Sequence, residues 1–86
     1  MTNTIDEHLG NRIAIARRDA DMEAEAAAIR LEMSTTAYQA LERGERRVSA
    51  LMLARVSRLY GRPIGWFYEG LPGQSGFKRP AQGSSV

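Results

Sequence analysis

The chain has 86 residues, 26% of them charged, with a formal net charge of +2 and no cysteine. Its length predicts one small domain, and the cysteine count excludes disulfides and thiolate sites. One histidine is too few for the usual zinc site, no apolar run reaches the roughly 20 residues that span a bilayer, and the acidic N-terminus lacks a signal-peptide pattern, so we expect a soluble cytoplasmic protein.

Helix signals begin at the start of the chain. Thr4 and Glu7 have the spacing of a capping box and predict a first helix to about Arg18. The polar stretch 19–21 ends it. Residues 22–31 are rich in the strongest helix formers and predict a second helix. The inward stripe of the first helix is expected to be Leu9, Ile13 and Ala16.

Residues 34–44 predict a complete third helix, which only two residues separate from the second. Ser34 can accept a hydrogen bond from a first-turn N–H, and Gly44 can adopt the left-handed conformation that stops a helix. Tyr38 and Leu41, three residues apart, form one apolar face. That face is opposed by a small face rich in hydrogen-bonding groups, made of Thr36, Gln39, Ala40 and Arg43 with Thr35 at its flank. Such a face fits a narrow groove and can contact polar groups such as DNA base edges.

Two further helices and a tail follow. Ser49 predicts the start of a fourth helix to about Tyr60, and residues 64–68 predict a short fifth helix that packs Trp66 or Phe67 onto the core. Nine of the last 17 residues are Gly, Pro or Ser, which predicts a flexible tail over 70–86 after a domain over 1–69. On the fourth helix we expect Leu53, Val56 and Tyr60 inward and Leu51, Met52 and Leu59 pointing away from the core.

The charge is unevenly distributed along the chain. Residues 1–32 hold seven acidic against four basic side chains, whereas residues 33–86 hold eight basic against three acidic ones. Eleven of the twelve basic residues are arginine, the type that pairs well with phosphate and guanine. The basic second part of the chain therefore favours a polyanionic partner.

Two short helices joined by a tight turn, the second with a polar face, describe a helix-turn-helix. Short motifs extend this pattern in order, namely Leu9-Gly10-x-Arg12-Ile13-x-x-x-Arg17, Ala27-Ala28-x-x-Leu31, Met33-Ser34, Leu41-Glu42-Arg43-Gly44, Leu53-x-x-Val56-x-x-x-Tyr60-Gly61 and Pro63-Ile64-Gly65-Trp66-Phe67. With these motifs, over roughly residues 9–70, the chain resembles the lambda-repressor-like, xenobiotic-response-element family of bacterial and phage transcription regulators. The resemblance implies an all-α, compact five-helix DNA-binding domain.

The resemblance also implies which residues meet DNA. Members of the family place the third-helix face in the major groove of double-stranded DNA, as dimers on two half-sites one helical turn apart. A basic edge at the end of that helix resembles the family's phosphate clamp. The implied DNA-binding residues are Thr35, Thr36, Gln39 and Ala40 for the bases and Arg43, Arg46 and Arg47 for the phosphates.

Other charged residues are expected to be structural or solvated. The resemblance implies a partly buried ion pair between Arg17 and Glu42, which links the first helix to the end of the third. His8 is expected on the exposed side of the first helix. The sequence shows no nucleophile–base pair, glycine-rich phosphate loop or converging carboxylates, so we expect no enzyme activity, catalytic residue, cofactor, metal or small-molecule substrate.

Three positions depart from the family pattern. Glu23-Ala24 stands where the family commonly has Ser-Gln at the start of the second helix, a position at which the Gln helps to anchor a phosphate. Glu32 occupies a turn position often filled by Gly, which demands a positive φ or a modified turn. Val48 replaces the usual Pro before the fourth helix. The first change predicts DNA binding that is weaker or more salt-sensitive than is typical.

The expected function is a sequence-specific DNA-binding regulator, most simply a repressor. It would insert helix 34–43 into the major groove as a homodimer on a palindromic operator and be associated with the nucleoid when bound. The alternative is the same fold acting as an antirepressor or adaptor, which would meet a protein partner through its acidic N-terminal part and bind DNA weakly or not at all.

Overall fold

The computed structural model of the chain describes residues 4–71 and consists there of five α-helices without a strand. The helices are α1 (Thr4–Asp19), α2 (Ala24–Arg30), α3 (Thr35–Glu42), α4 (Ala50–Tyr60) and α5 (Ile64–Tyr68). This order confirms the expected all-α, five-helix class. None of these helices is long and apolar enough to cross a membrane. Most of the predicted tail, with Phe77-Lys78-Arg79, lies outside the described residues.

The core is built from the inward faces that the helical spacing predicts. The largest fully buried side chains are Tyr38, Phe67, Leu9, Ile13, Leu41 and Val56. Of the two aromatic candidates on α5, Phe67 is fully buried and Trp66 only partly. The prediction for the outer side of α4 is correct for Leu51, which is exposed, but wrong for Met52 and Leu59, which pack against the edge of the core. A helix of eleven residues held against several neighbours buries a wider stripe than its central line.

Three helix ends close with the same backbone device. After α2, the N–H of Glu32 donates to the carbonyl of Ile29 and the N–H of Met33 to that of Ala28, both at 3.0 Å, which is a Schellman motif. The device needs a left-handed residue, so Glu32 adopts φ 59°, as its place in the family pattern predicts. The ends of α1 and α3 repeat it with Asp21 (φ 56°) and Gly44 (φ 75°).

Helix starts follow the capping residues. Ser34 accepts a hydrogen bond from the N–H of Ala37 at 3.0 Å, and Ser49 accepts one from Met52 at 3.1 Å, so both predicted N-caps are confirmed. Glu23 precedes α2 in extended conformation without a side-chain cap. The helix therefore begins at Ala24, two residues later than the composition predicts.

Helices α1 and α3 cross in very close contact at Gly10. A Cβ added at Gly10 would collide with the carbonyl oxygen of Leu41 and lie 2.9 Å from that of Glu42. Only glycine lets the two backbones approach so closely. Gly10 is itself buried, so the contact cannot relax into solvent.

Helix α5 docks onto α1 through polar and aromatic contacts. Arg12 donates to the carbonyl of Trp66 at 2.8 Å, and its Cζ lies 3.8 Å from the Trp66 ring centroid. Arg62 covers the same ring at 4.1 Å. His8, expected to be a plain surface residue, is half-buried, and its Nε2 lies 2.8 Å from the carbonyl oxygen of Glu69. His8 is partly covered because the chain at the end of α5 returns across the start of α1.

The crossing at Gly10 predicts a sharp effect of one methyl group. Gly10→Ala should lower the free energy of unfolding by about 3 kcal/mol or more, because two backbones must separate. Gly65→Ala is the matched control, since a Cβ there meets nothing within 4 Å, and it should change stability by no more than about 1 kcal/mol. Urea denaturation followed by circular dichroism measures both. Equal stabilities of the two variants would contradict the close crossing.

Candidate nucleic-acid interface

The outer face of α3 is presented to solvent by the burial of its opposite face. Tyr38 and Leu41 are both fully buried. Residues three and four apart lie on one side of a helix, so the side away from these two carries the four predicted base-facing residues together with Arg43, which is predicted to contact phosphate. Of that set, Thr36, Gln39 and the C-cap Arg43 are exposed, and Thr35 and Ala40 are half-buried. The structure therefore brings the five α3 candidates together on one accessible surface.

A partly buried ion pair fixes the end of α3. Arg17 Nε donates to Glu42 Oε2 at 2.7 Å and Arg17 Nη2 donates to Oε1 at 3.2 Å, with side chains only 18% and 12% exposed. The remaining Nη1 donates to the carbonyl of Met22 at 2.9 Å. The hydrogen bond to Glu42 raises the pKa of the Arg17 guanidinium above its ordinary value. The predicted structural pair between α1 and α3 is confirmed.

Two tyrosines extend this polar cluster into the core. The hydroxyls of Tyr38 and Tyr60 lie 2.6 Å apart, which explains why Tyr60 points inward while staying half-buried. Burial raises the pKa of Tyr38 far above that of a free tyrosine, and burial also raises the pKa of Tyr60. Both hydroxyls are therefore neutral at physiological pH and serve as a hydrogen-bonded link between α3 and α4.

The predicted basic edge lies at the end of α3 and in the loop before α4. Arg43, Arg46 and Arg47 are all exposed. Arg43 Nε contacts Glu45 Oε1 at 3.1 Å, with both side chains more than half exposed. Within residues 4–71, Arg46 and Arg47 make no ion pair, so their guanidinium groups are available to an incoming anion.

The first turn of α1 holds this loop in place. The N–H of Val48 donates to Oδ1 of Asp6 at 3.0 Å, and Asp6 is the one charged side chain in the described part of the chain that is buried, at 7% exposed. Gly44 rests on Glu7, so that a Cβ added at Gly44 would lie 2.7 Å from the Cα of Glu7. The sequence analysis did not predict the hydrogen bond between Asp6 and Val48. Val48 could have indicated it, because the Pro usual at this position has no N–H to donate.

Residues 8–64 match the family model of the helix-turn-helix domain. The chain belongs to the helix-turn-helix family. The matched residues include all of α2, α3 and α4, so the assignment covers the helix pair that carries the candidate interface.

Two curated relatives of this chain are named as transcriptional regulators. They are uncharacterised HTH-type transcriptional regulators of Sinorhizobium medicae strain WSM419 and Rhizobium meliloti strain 1021. Each is 33% identical over 78 residues, which cover 91% of this chain and 56% of the relative. The chain thus spans little more than half the length of these relatives.

The fold of the helix-turn-helix domain is also similar to solved structures. The clp gene regulator ClgR from C. glutamicum gives a TM-score of 0.74 at 26% identity, covering 81% of this chain and 91% of that one. The DNA-binding domain of BldD gives 0.68 at 20% identity, covering 78% of this chain and 97% of that one. These similarities confirm the expected lambda-repressor-like fold.

The start of α2 is the acidic part of the helix-turn-helix. Glu23 and Glu25 are both exposed beside Ala24, which has no polar side chain. A phosphate approaching this end would meet two carboxylates, and their charge opposes the favourable partial charge of the helix N-terminus.

Within residues 4–71 no group of three or more His, Cys, Asp or Glu is arranged to hold a metal ion.

The ion pair that anchors α3 gives a measurable prediction. Arg17→Ala should lower the free energy of unfolding by about 2–3 kcal/mol, because it leaves the Glu42 carboxylate partly buried without its partner. The double variant with Glu42→Ala should lose less than the sum of the single losses. Arg43→Ala is the control on an exposed pair and should cost less than about 1 kcal/mol. Additive losses in denaturant titrations would refute the coupling.

The contact between Asp6 and Val48 gives a second prediction. Asp6→Ala removes the acceptor of the Val48 N–H, so hydrogen exchange at that amide should accelerate about tenfold or more. Glu7→Gln alters the neighbouring exposed carboxyl and should leave the exchange rate of Val48 nearly unchanged. Native-state exchange measured by NMR compares the two variants, and equal protection of Val48 in both would show that Asp6 does not hold the loop.

Proposed function

We propose that this helix-turn-helix domain is a sequence-specific DNA-binding transcriptional regulator that inserts α3 into the major groove. The observation that carries the proposal is the outer face of α3. It is small, polar and accessible, while the opposite face of the same helix is fully buried and its end is fixed by the Arg17–Glu42 pair. A rigid helix with one free polar face matches the size and hydrogen-bonding pattern of the major groove.

Base contact is assigned to the residues of that face. The Thr36 hydroxyl and the Gln39 amide are exposed and supply both donors and acceptors. Gln pairs bidentately with adenine, and Thr presents a methyl group to thymine as well as its hydroxyl. Thr35 and Ala40 lie at the edges of the face, where small side chains allow the helix to approach closely.

Phosphate contact is assigned to the basic edge. Arg46 and Arg47 are exposed on a loop that Asp6 holds, so they would meet the DNA backbone without first breaking an ion pair. Arg43 has to exchange Glu45 for phosphate, which costs little because exposed ion pairs contribute at most about 1 kcal/mol. These contacts fix orientation and register rather than sequence.

The acidic start of α2 sets the expected strength of binding. Glu23 and Glu25 repel the phosphate that a polar residue at position 24 would otherwise help to anchor. Affinity then depends more on the arginine edge and on a second subunit, and we expect weak binding at raised salt. A homodimer on a palindromic operator supplies the second half-site. Exposed Ile64 on α5 belongs to the C-terminal part that we assign to the dimer contact, and light scattering tests it.

We assign the regulator a repressor role, because α3 and its basic edge would occupy the operator as part of the homodimer. This role places the protein in the cytoplasm, bound to the nucleoid. The competing function is an adaptor that contacts a protein and not DNA. It predicts no binding to any promoter fragment even at low salt, whereas the regulator binds an operator near its own gene with a steep salt dependence.

Two substitutions separate the assigned roles. Arg47→Ala should weaken binding to operator and scrambled duplexes alike and reduce the salt slope by about 1, because it removes a phosphate contact. Thr36→Ala should weaken operator binding with little effect on scrambled DNA. Fluorescence anisotropy at two salt concentrations measures both, with Arg18→Ala as an exposed arginine control on α1. Equal losses on both duplexes for both variants would contradict the assignment.

A further inference from the structure

A basic cleft lies between the end of α2 and the second half of α4. Its volume is about 290 Å³, and its lining consists of Arg30, Leu31, Arg55, Arg58 and Leu59. None of these residues belongs to the α3 face or to the loop that carries Arg46 and Arg47. We propose that this cleft docks an acidic segment of a partner protein, one that presents carboxylates together with apolar side chains.

The charge of the cleft favours an anionic occupant. Three guanidinium groups line it, and the carboxylate of Glu32 reaches only Arg55, at 3.9 Å. In the described part of the chain, Arg30 and Arg58 form no ion pair. Like charges that line one cleft repel each other in the free domain, and a carboxylate-bearing partner would relieve that repulsion.

Apolar surface within and beside the cleft indicates that the occupant is a protein segment. Leu59, which is half-buried, forms part of the lining, whereas Leu31, which also lines the cleft, is only 3% exposed and already belongs to the core. Leu51 is 72% exposed and lies one turn before Arg55 on the same side of α4. A phosphate backbone would leave Leu51 and Leu59 without an apolar partner, whereas an apolar side chain between two carboxylates would cover them.

Other occupants fit the cleft less well. A second copy of the chain would bring a matching cleft with three arginines against one glutamate, so two such surfaces would repel. The cavity volume of about 290 Å³ lies just below the range of small-molecule sites, which is roughly 300–1,000 Å³. It has room for one or two side chains of a docked segment instead.

The test uses a defined probe and a matched charge reversal. A short fluorescein-labelled peptide with glutamates and leucines at helical spacing is titrated with the full chain and with Arg58→Glu. The variant should bind the peptide about fivefold or more weakly. Arg18→Glu changes the net charge equally but lies outside the cleft, and should change peptide affinity less than about twofold. Thermal unfolding checks that both variants are folded.

Two further measurements have outcomes that would overturn the proposal. A peptide in which serines replace the leucines should bind clearly more weakly, and equal affinity would show general charge attraction in place of docking. Operator and scrambled duplexes are titrated with the same variants and with Arg47→Glu, which serves as the reference for a lost phosphate contact. A loss for Arg58→Glu as large as that for Arg47→Glu, with Arg18→Glu unaffected, would assign the cleft to nucleic acid. Operator binding by the unaltered chain tests the DNA proposal separately.

Discussion

The contact between α1 and α3 is the constraint on which the rest of the domain depends. At Gly10 the two backbones cross with no room for a Cβ, and about two turns further along α1 Arg17 forms an ion pair with Glu42, the last residue of α3. The first contact sets the distance between the helices and the second fixes rotation about the α3 axis. Hydrophobic burial of Tyr38 and Leu41 alone would permit small slides, because apolar contact has no direction. With both contacts present, the outer face of α3 has one orientation.

Helix α1 also orients the elements on either side of α3. Its first turn accepts the Val48 N–H and so sets the loop before α4, and its middle holds α5 through Arg12 and the carbonyl of Trp66. The 16 residues of α1 therefore position both the residues proposed to contact bases and those proposed to contact phosphates. Specificity in such a domain comes from holding side chains still, since a base-edge hydrogen bond tolerates little displacement.

Local signals made much of this architecture predictable from the sequence. The N-caps Ser34 and Ser49 and the helix end at Gly44 depend on hydrogen bonds between residues only a few positions apart. Each of them lies at the position that the sequence predicts. The Arg17–Glu42 pair came from the family resemblance rather than from spacing. Contacts such as Asp6 with Val48, 42 residues apart, were missed because no local pattern encodes them. The exposed face of α3 was predictable because the helical spacing of Tyr38 and Leu41 identifies the buried face, and the exposed face lies opposite. Its contact with DNA remains a prediction.

The stacking of Trp66 between Arg12 and Arg62 has a spectroscopic consequence. Trp66 is the sole tryptophan of the chain, and both guanidinium groups lie within about 4 Å of its ring centroid. Its emission therefore reports the junction of α1 and α5 and nothing at α3. A ligand that alters this fluorescence has changed the packing of α5, even if it binds elsewhere. The domain thus carries a natural optical probe for communication between α3 and its last helix.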